Sequence, residues 1–175
     1  INVILMASEE YSTAISRLEE FLSKQRDALS NKDKSNILNM LGLAYQKQGR
    51  VKKAIDYFQE ALKCTETLHL NEKKHDLASL YNNLALAYQR LGAFKQAVDH
   101  YQCALSYAKK SYGNNHPNVC NVESNFASLY LEQSNFKEAL CYYRHIFWVY
   151  RYWYGEAHPK VANHTSGNIN LRSGP

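Results

Sequence analysis

The chain has 175 residues, 45% of them hydrophobic, and a net charge of +5 from 21 Lys plus Arg against 16 Asp plus Glu. That is enough apolar material for one domain with a continuous core, and the charge permits an acidic partner without the one-sided basicity of a nucleic-acid reader. No apolar run approaches the roughly 18 to 20 residues that cross a bilayer, and the opening INVILM is too short for a secretory core. The sequence therefore predicts a cytoplasmic protein with no membrane contact. Cys64, Cys103, Cys120 and Cys141 form no CxxC pair and read as free thiols in a reducing compartment.

In chain order, EYSTAISRLEEFL has the stride of the second helix of a hairpin, with Tyr11, Ala14, Leu18 and Phe21 on one face. INVILMAS would end its partner helix, which makes residues 1–30 a partial repeat. Asn31 to Lys34 is a polar turn in which Asn31 or Asp33 is the expected helix cap. The segment 38–62, LNMLGLAYQKQGRVKKAIDYFQEAL, then forms a first complete hairpin, within a repeat spanning about 31–73.

After the linker LHLNEKKHD comes the clearest copy, YNNLALAYQRLGAFKQAVDHYQCAL at 81–105, in a repeat of about 74–116. Tyr81, Leu84, Ala85 and Tyr88 share one helix face, and Ala97, Tyr101, Ala104, Leu105 and Ala108 share another. Leu91-Gly92 divides them, because Gly closes a helix in the left-handed conformation without steric penalty. This copy matches the first at 13 of 25 positions without a gap. A third copy at 123–147, in a repeat of about 117–158, matches it at 7 of 25, among them Ala127, Tyr130, Phe136, Ala139 and Tyr143. Here Glu123 replaces the apolar Leu38 or Tyr81, Ser134 replaces the turn Gly, and Ile146 replaces Ala104.

Leu41, Leu84 and Phe126 are equivalent, so the repeat is 43 and then 42 residues. A period of that size indicates a solenoid, whose units bury their apolar faces by stacking on one another. The phrase Tyr112-Gly113-Asn114-Asn115-His116-Pro117 returns 42 residues later as Tyr154-Gly155-Glu156-Ala157-His158-Pro159. Pro suits the first helical position, where its missing N–H costs nothing. A degenerate partial repeat is expected over 159–175, short and frayed, with Asn168 where Leu84 should be. The start at Ile1 and the stop at Ser-Gly-Pro read as a piece of a longer protein.

The order Leu41, Gly42, Tyr45, Gly49, Ala54, Phe58, Ala61, and its second version Leu84, Ala85, Tyr88, Gly92, Ala97, Tyr101, Ala104, resembles the tetratricopeptide repeat. The small residues let paired helices approach while aromatics fill the space between repeats. The ordinary unit of that family is about 34 residues. The longer period, the NNLALAYQ phrase and the YGxxHP junctions resemble the kinesin light chain subtype over about residues 9 to 165. The resemblance implies an all-α antiparallel helix-hairpin solenoid and a non-catalytic scaffold, with a cargo-adaptor role as in kinesin light chain. It also implies that first-helix residues bind an extended peptide or partner segment in the concave groove.

The candidates for that contact are Asn39, Leu43, Gln46 and Lys47 in the first copy. In the second they are Asn82, Asn83, Leu86, Gln89 and Arg90, and in the third Asn121, Asn125 and Ser128. An Asn side chain donates and accepts, so a ladder of amides can hold a peptide backbone. Lys47 and Arg90, one repeat apart, would favour acidic residues in the peptide. Clamping of a chaperone tail's carboxylate is not expected, since only Asn83 matches that pattern.

Other readings carry less. His100 with Cys103, and Cys141 with His145, each lie within one helical turn, but no third ligand or orienting carboxylate is in register, so no cofactor, metal, small-molecule substrate or catalysis is expected. The run Phe147 to Tyr154 contains the stripe Ile146, Val149, Tyr150 and Trp153, which reads as packing against a following repeat. Were that repeat absent, the stripe would become an edge for self-association. An RNA-binding helical repeat is the remaining alternative, with fourteen tyrosines as potential stacking platforms. Tyr45, Tyr88, Tyr101, Tyr130 and Tyr143 are expected to be used in packing instead.

Overall fold

The computed structural model describes residues 2–161 apart from 26, 69, 157 and 160. Among them are seven α-helices and no strand: α1 (Asn2–Gln25), α2 (Asn31–Lys47), α3 (Val51–Glu66), α4 (Leu70–Arg90), α5 (Phe94–Tyr112), α6 (Pro117–Glu132) and α7 (Phe136–Tyr154). The three hairpins stand where the internal copies place them. The long period comes from helix length rather than from connections: α4 has 21 residues and α5 has 19, and only residues 91–93 join them. The linker read before the second hairpin is therefore itself helix from Leu70 onward. Beyond Val161, the expected fourth copy lies outside the described residues.

Two expectations near the start are corrected. Residues 2–25 form one unbroken helix, not the end of one helix followed by another. No Gly, Pro or Asn interrupts MASEEYSTA, so nothing there favours a turn over helix propagation. The cap of α2 is Ser30, not Asn31 or Asp33. Its extended backbone (φ −65°, ψ 156°) lets its hydroxyl accept from the Asp33 N–H at 3.1 Å and donate to the Asp33 carboxylate at 2.6 Å.

The turn residues explain the hairpin closures. Gly49 and Gly92 have φ of +77° and +71°, and Ser134, their counterpart in the third copy, takes φ +57°. At Gly42 the reason for glycine is different. A Cβ there would lie 2.4 Å from the Phe58 ring, so the flat aromatic rests directly on the α2 backbone.

The chain forms two compact units, Ile1–Ala104 and Leu105–Pro175. The first has a core of Ile15, Leu38, Leu41, Tyr45, Ile55, Phe58, Leu80 and Leu84 with small Ala44, Ala54, Ala61 and Ala87 between them. The α1 helix closes one side of it. Tyr45 and Tyr57 stack at 5.3 Å and both donate to Glu19 Oε1, at 2.6 and 2.7 Å. Those bonds, the one from Tyr45 foremost, hold the Glu19 carboxyl below its ordinary range despite the opposing effect of burial. The second unit gathers Cys120, Ile146, Phe147, Val149, Tyr150 and Val161, which bears out Ile146, Val149 and Tyr150 as packing residues, whereas Trp153, the fourth of that stripe, is 49% exposed.

Candidate functional site

The first-helix candidates divide by burial. In the first unit, Asn39 on α2 and Asn83 on α4 are half-buried neighbours, with Asn83 Nδ2 donating to Asn39 Oδ1 at 2.9 Å. Two amides on the first helices of successive repeats are thus joined, and each keeps further donor and acceptor capacity. Leu43 and Lys47 are exposed beside them, while Asn82 and Leu86 are half-buried. Arg90 is exposed and its guanidinium donates to the Gln46 carbonyl at 3.4 Å.

Gln46 and Gln89 do not lie on the open face. They are 4% and 7% exposed, and Gln89 is directed at the second helix of its own hairpin. Gln89 Oε1 accepts from the buried Tyr101 hydroxyl at 2.9 Å, whereas Gln46 Nε2 has no partner among the described residues. In the second unit, Asn121 is exposed and accepts from the Tyr150 hydroxyl at 3.2 Å, and Asn125 and Ser128 are half-buried.

The sequence reading missed two groups. Arg50, Lys52 and Lys53 join Arg90, Gly49, Val51 and Leu91 around a hollow of about 470 Å³ at the turn end of the first two hairpins, with no carboxylate among its described lining residues. The Arg50 guanidinium and the Lys53 ammonium lie 4.9 and 5.3 Å from the Tyr45 ring, which holds both stems in place. The signal was available: three cations within four residues follow Gly49, and the first turn of α3 carries no acidic residue.

The second group corrects the expectation that His145 has no orienting carboxylate. Glu123, on α6, lies with Oε2 2.6 Å from His145 Nδ1, and Asn115 Oδ1 lies 3.1 Å from Nε2. The partner came from the neighbouring helix, where spacing along α7 could not reveal it. Nearby, burial pushes the Cys120 thiol up to about 12, so it is no nucleophile at neutral pH. Cys103 and Cys141 are exposed. His100 stacks on Tyr88 and Tyr81 at 5.1 and 5.9 Å and is held below its ordinary range by burial. Neither of the spaced His–Cys pairs gathers a third donor among the described residues.

Two family models described as tetratricopeptide repeat match the chain, one over residues 76–151 and one over 35–64, and together they cover more than half of it. This is a tetratricopeptide-repeat protein. Its fold is that family's all-α helix-hairpin solenoid, and such repeats are protein-interaction scaffolds that are typically non-catalytic. Among solved structures, the tetratricopeptide-repeat chain is similar to a putative kinesin light chain with nearly identical TPR-like repeats from Podosopora anserina (19% identity, TM-score 0.73, covering 93% of this chain and 79% of that one). A point-substituted form of that Podosopora protein gives 17% identity and TM-score 0.75, with 93% and 78% covered. BtubC (BKLC) from P. vanneervenii gives 21% identity and TM-score 0.68, covering 92% of this chain and 62% of that one. The chain thus spans somewhat less than two thirds of BtubC. At these identities the likeness is one of fold, and it matches the kinesin light chain-like long repeat read from the sequence. No curated protein matches the chain in sequence. No described helix is long and apolar enough to cross a membrane.

Proposed function

We propose that this chain is a protein-interaction module that holds an extended, acidic peptide or partner segment along the first helices α2 and α4, in a cargo-adaptor role of the kinesin light chain kind. The observation that carries this reading is the joined Asn39–Asn83 amide pair leading to the basic hollow of Arg50, Lys52, Lys53 and Arg90. Amides of this kind bond a peptide backbone without regard to sequence, each bond contributing about 0.5–1.5 kcal/mol. The cations select acidic side chains and speed their arrival. Asn82, Leu43, Leu86 and Lys47 border the same face; in the third copy Asn125 and Ser128 stand at the positions of Asn83 and Leu86, with Asn121 one turn earlier on α6.

The test is fluorescence anisotropy with a labelled acidic peptide of mixed Glu and Leu, at two salt concentrations. Asn83→Ala with Arg90→Ala should weaken binding by roughly tenfold, equivalent to about 1.4 kcal/mol, and added salt should weaken the wild type more than the variant. Equal affinity for wild type and variant, with helicity unchanged, would rule the reading out. A second surface is favoured by the exposed aromatics of α7: Trp148, Trp153 and especially Tyr152, which is 84% exposed. Their function would be self-association.

A further inference from the structure

The third copy departs from the two before it at three positions that converge on one point. One repeat back along the chain, Cys120, Glu123 and His145 correspond to Ala78, Tyr81 and Cys103, and two repeats back to Ser35, Leu38 and Glu60. Each earlier set holds a single thiol or carboxylate, while the third holds thiol, carboxylate and imidazole. Cys120 and Glu123 are three residues apart on α6, so they project from the same side of the helix. His145 meets them from α7, and one donor atom from each residue lies within 4.8 Å of the other two. Cys120 and Glu123 are 0% and 2% exposed.

We propose that Cys120, Glu123 and His145 bind a Zn²⁺ ion that ties α6 to α7. A sulfur, a nitrogen and an oxygen donor form a set that borderline-soft zinc accepts, and that calcium and magnesium, which require all-oxygen ligands, do not. Zinc bonds of about 2.3 Å to sulfur and about 2.0–2.2 Å to nitrogen and oxygen place tetrahedral ligand atoms roughly 3–4 Å apart. The three donor atoms, all within 4.8 Å of one another, lie within a short adjustment of that span. The adjustment required is the opening of the 2.6 Å Glu123–His145 contact, which the ion then bridges. A water completes the tetrahedron, and the Cys120 thiol releases its proton to solvent as the sulfur–zinc bond forms, because the ion supplies the positive charge that the buried thiolate otherwise lacks. The half-exposed imidazole edge borders a hollow of about 620 Å³ lined by Asn115, Trp148, Val149 and Tyr152, which provides the way in.

Energetics favour a role beyond packing. Leu38 fills the equivalent place in the first copy with an apolar side chain, whereas Glu123 brings a carboxylate into the interior. A hydrogen-bonding contact with His145, and Lys109 Nζ at 3.8 Å, compensate it in the metal-free chain, but such buried polar pairs commonly gain little over well-packed apolar side chains. A divalent ion converts that charge into a ligand. Lys109 is partly exposed and swings to solvent when the ion enters.

The experiment is a Co²⁺ titration, under reducing conditions, of the chain carrying Cys64→Ser, Cys103→Ser and Cys141→Ser, so that Cys120 is the one remaining thiol. The expected result is a sulfur-to-cobalt charge-transfer band that saturates at one equivalent and is displaced by Zn²⁺. Adding His145→Ala should reduce affinity by more than about tenfold, since loss of even an outer partner of a metal ligand costs about 10–100-fold. No band in the folded variant, or unchanged affinity after His145→Ala, overturns the proposal. Because Cys64 is half-buried, the wild-type chain is titrated in parallel against Cys120→Ser, a residue that the first copy carries at this place as Ser35. A band that survives Cys120→Ser, with the helical circular dichroism signal retained, overturns it as well.

Discussion

Gln46 and Gln89 occupy the same position one repeat apart, and the equivalent second-helix residues Phe58 and Tyr101 differ by one oxygen atom. Tyr101 reaches Gln89 with its hydroxyl, but Phe58 stands in that place in the first copy and has none to offer. Gln46 buries an amide nitrogen with no partner among the described residues, and the same substitution should act in opposite directions at the two sites. Gln89→Leu removes the acceptor of the Tyr101 hydroxyl and should cost about 1–3 kcal/mol, whereas Gln46→Leu removes a buried nitrogen that has no partner and should be neutral or stabilising by up to about 1 kcal/mol. The third copy already carries Leu131 at this position. Urea unfolding of both variants measures the contrast, and equal losses at the two sites would contradict the assignment. Sequence alone grouped both glutamines with the ligand face, because helical stride does not distinguish a polar side chain directed at solvent from one directed at the partner helix.

Among the elements, the third hairpin turn shows most directly how a copy drifts. Ser134 occupies the left-handed conformation that glycine takes at Gly49 and Gly92, at a cost of roughly 1–2 kcal/mol for a residue with a Cβ. Ser134→Gly should recover about 0.5–1 kcal/mol, after allowing for the greater freedom of glycine in the unfolded chain. A thermal melt of the two forms reads it, and an unchanged or lower Tm would show that Ser134 is held there without strain. At this scale most of the fold was legible. The apolar stride located all three hairpins, and the His-Pro phrase located the start of α6, whose His116 cap accepts from the Asn118 N–H at 3.1 Å. The continuous α1 and the early start of α4 were less accessible. No repeated copy marks the interior of α1, and the charged stretch opening α4 looks like a linker until its helix is seen.

For the molecule as a whole, the amide face was legible in outline because its residues remain once packing positions are set aside. The run of cations after Gly49 was legible, but its meeting with Arg90 and the Cys120–Glu123–His145 cluster were not, since each assembles from separate segments: the α2–α3 turn with the end of α4, and α6 with α7. The exposed aromatics of α7 carry the remaining prediction at this scale. Concentration-dependent elution in size-exclusion chromatography is expected, and Trp148→Ser with Tyr152→Ser should abolish it. A wild-type chain that elutes as a monomer at every concentration would remove self-association from the account.

The phenols of Tyr45 and Tyr57 converge on one carboxylate, and that carboxylate belongs to a helix outside the hairpin they come from. The repeat boundaries are therefore poor guides for dissecting the chain. A piece cut to begin at Ser30 would retain a complete hairpin by sequence alignment, yet it would strip both hydroxyls of their shared acceptor and uncover the side of the core that Ile15, Leu18 and Leu22 now close. A fragment that keeps the first hairpin intact must also keep the stretch of α1 from Ile15 to Leu22, which the repeat alignment alone would leave out.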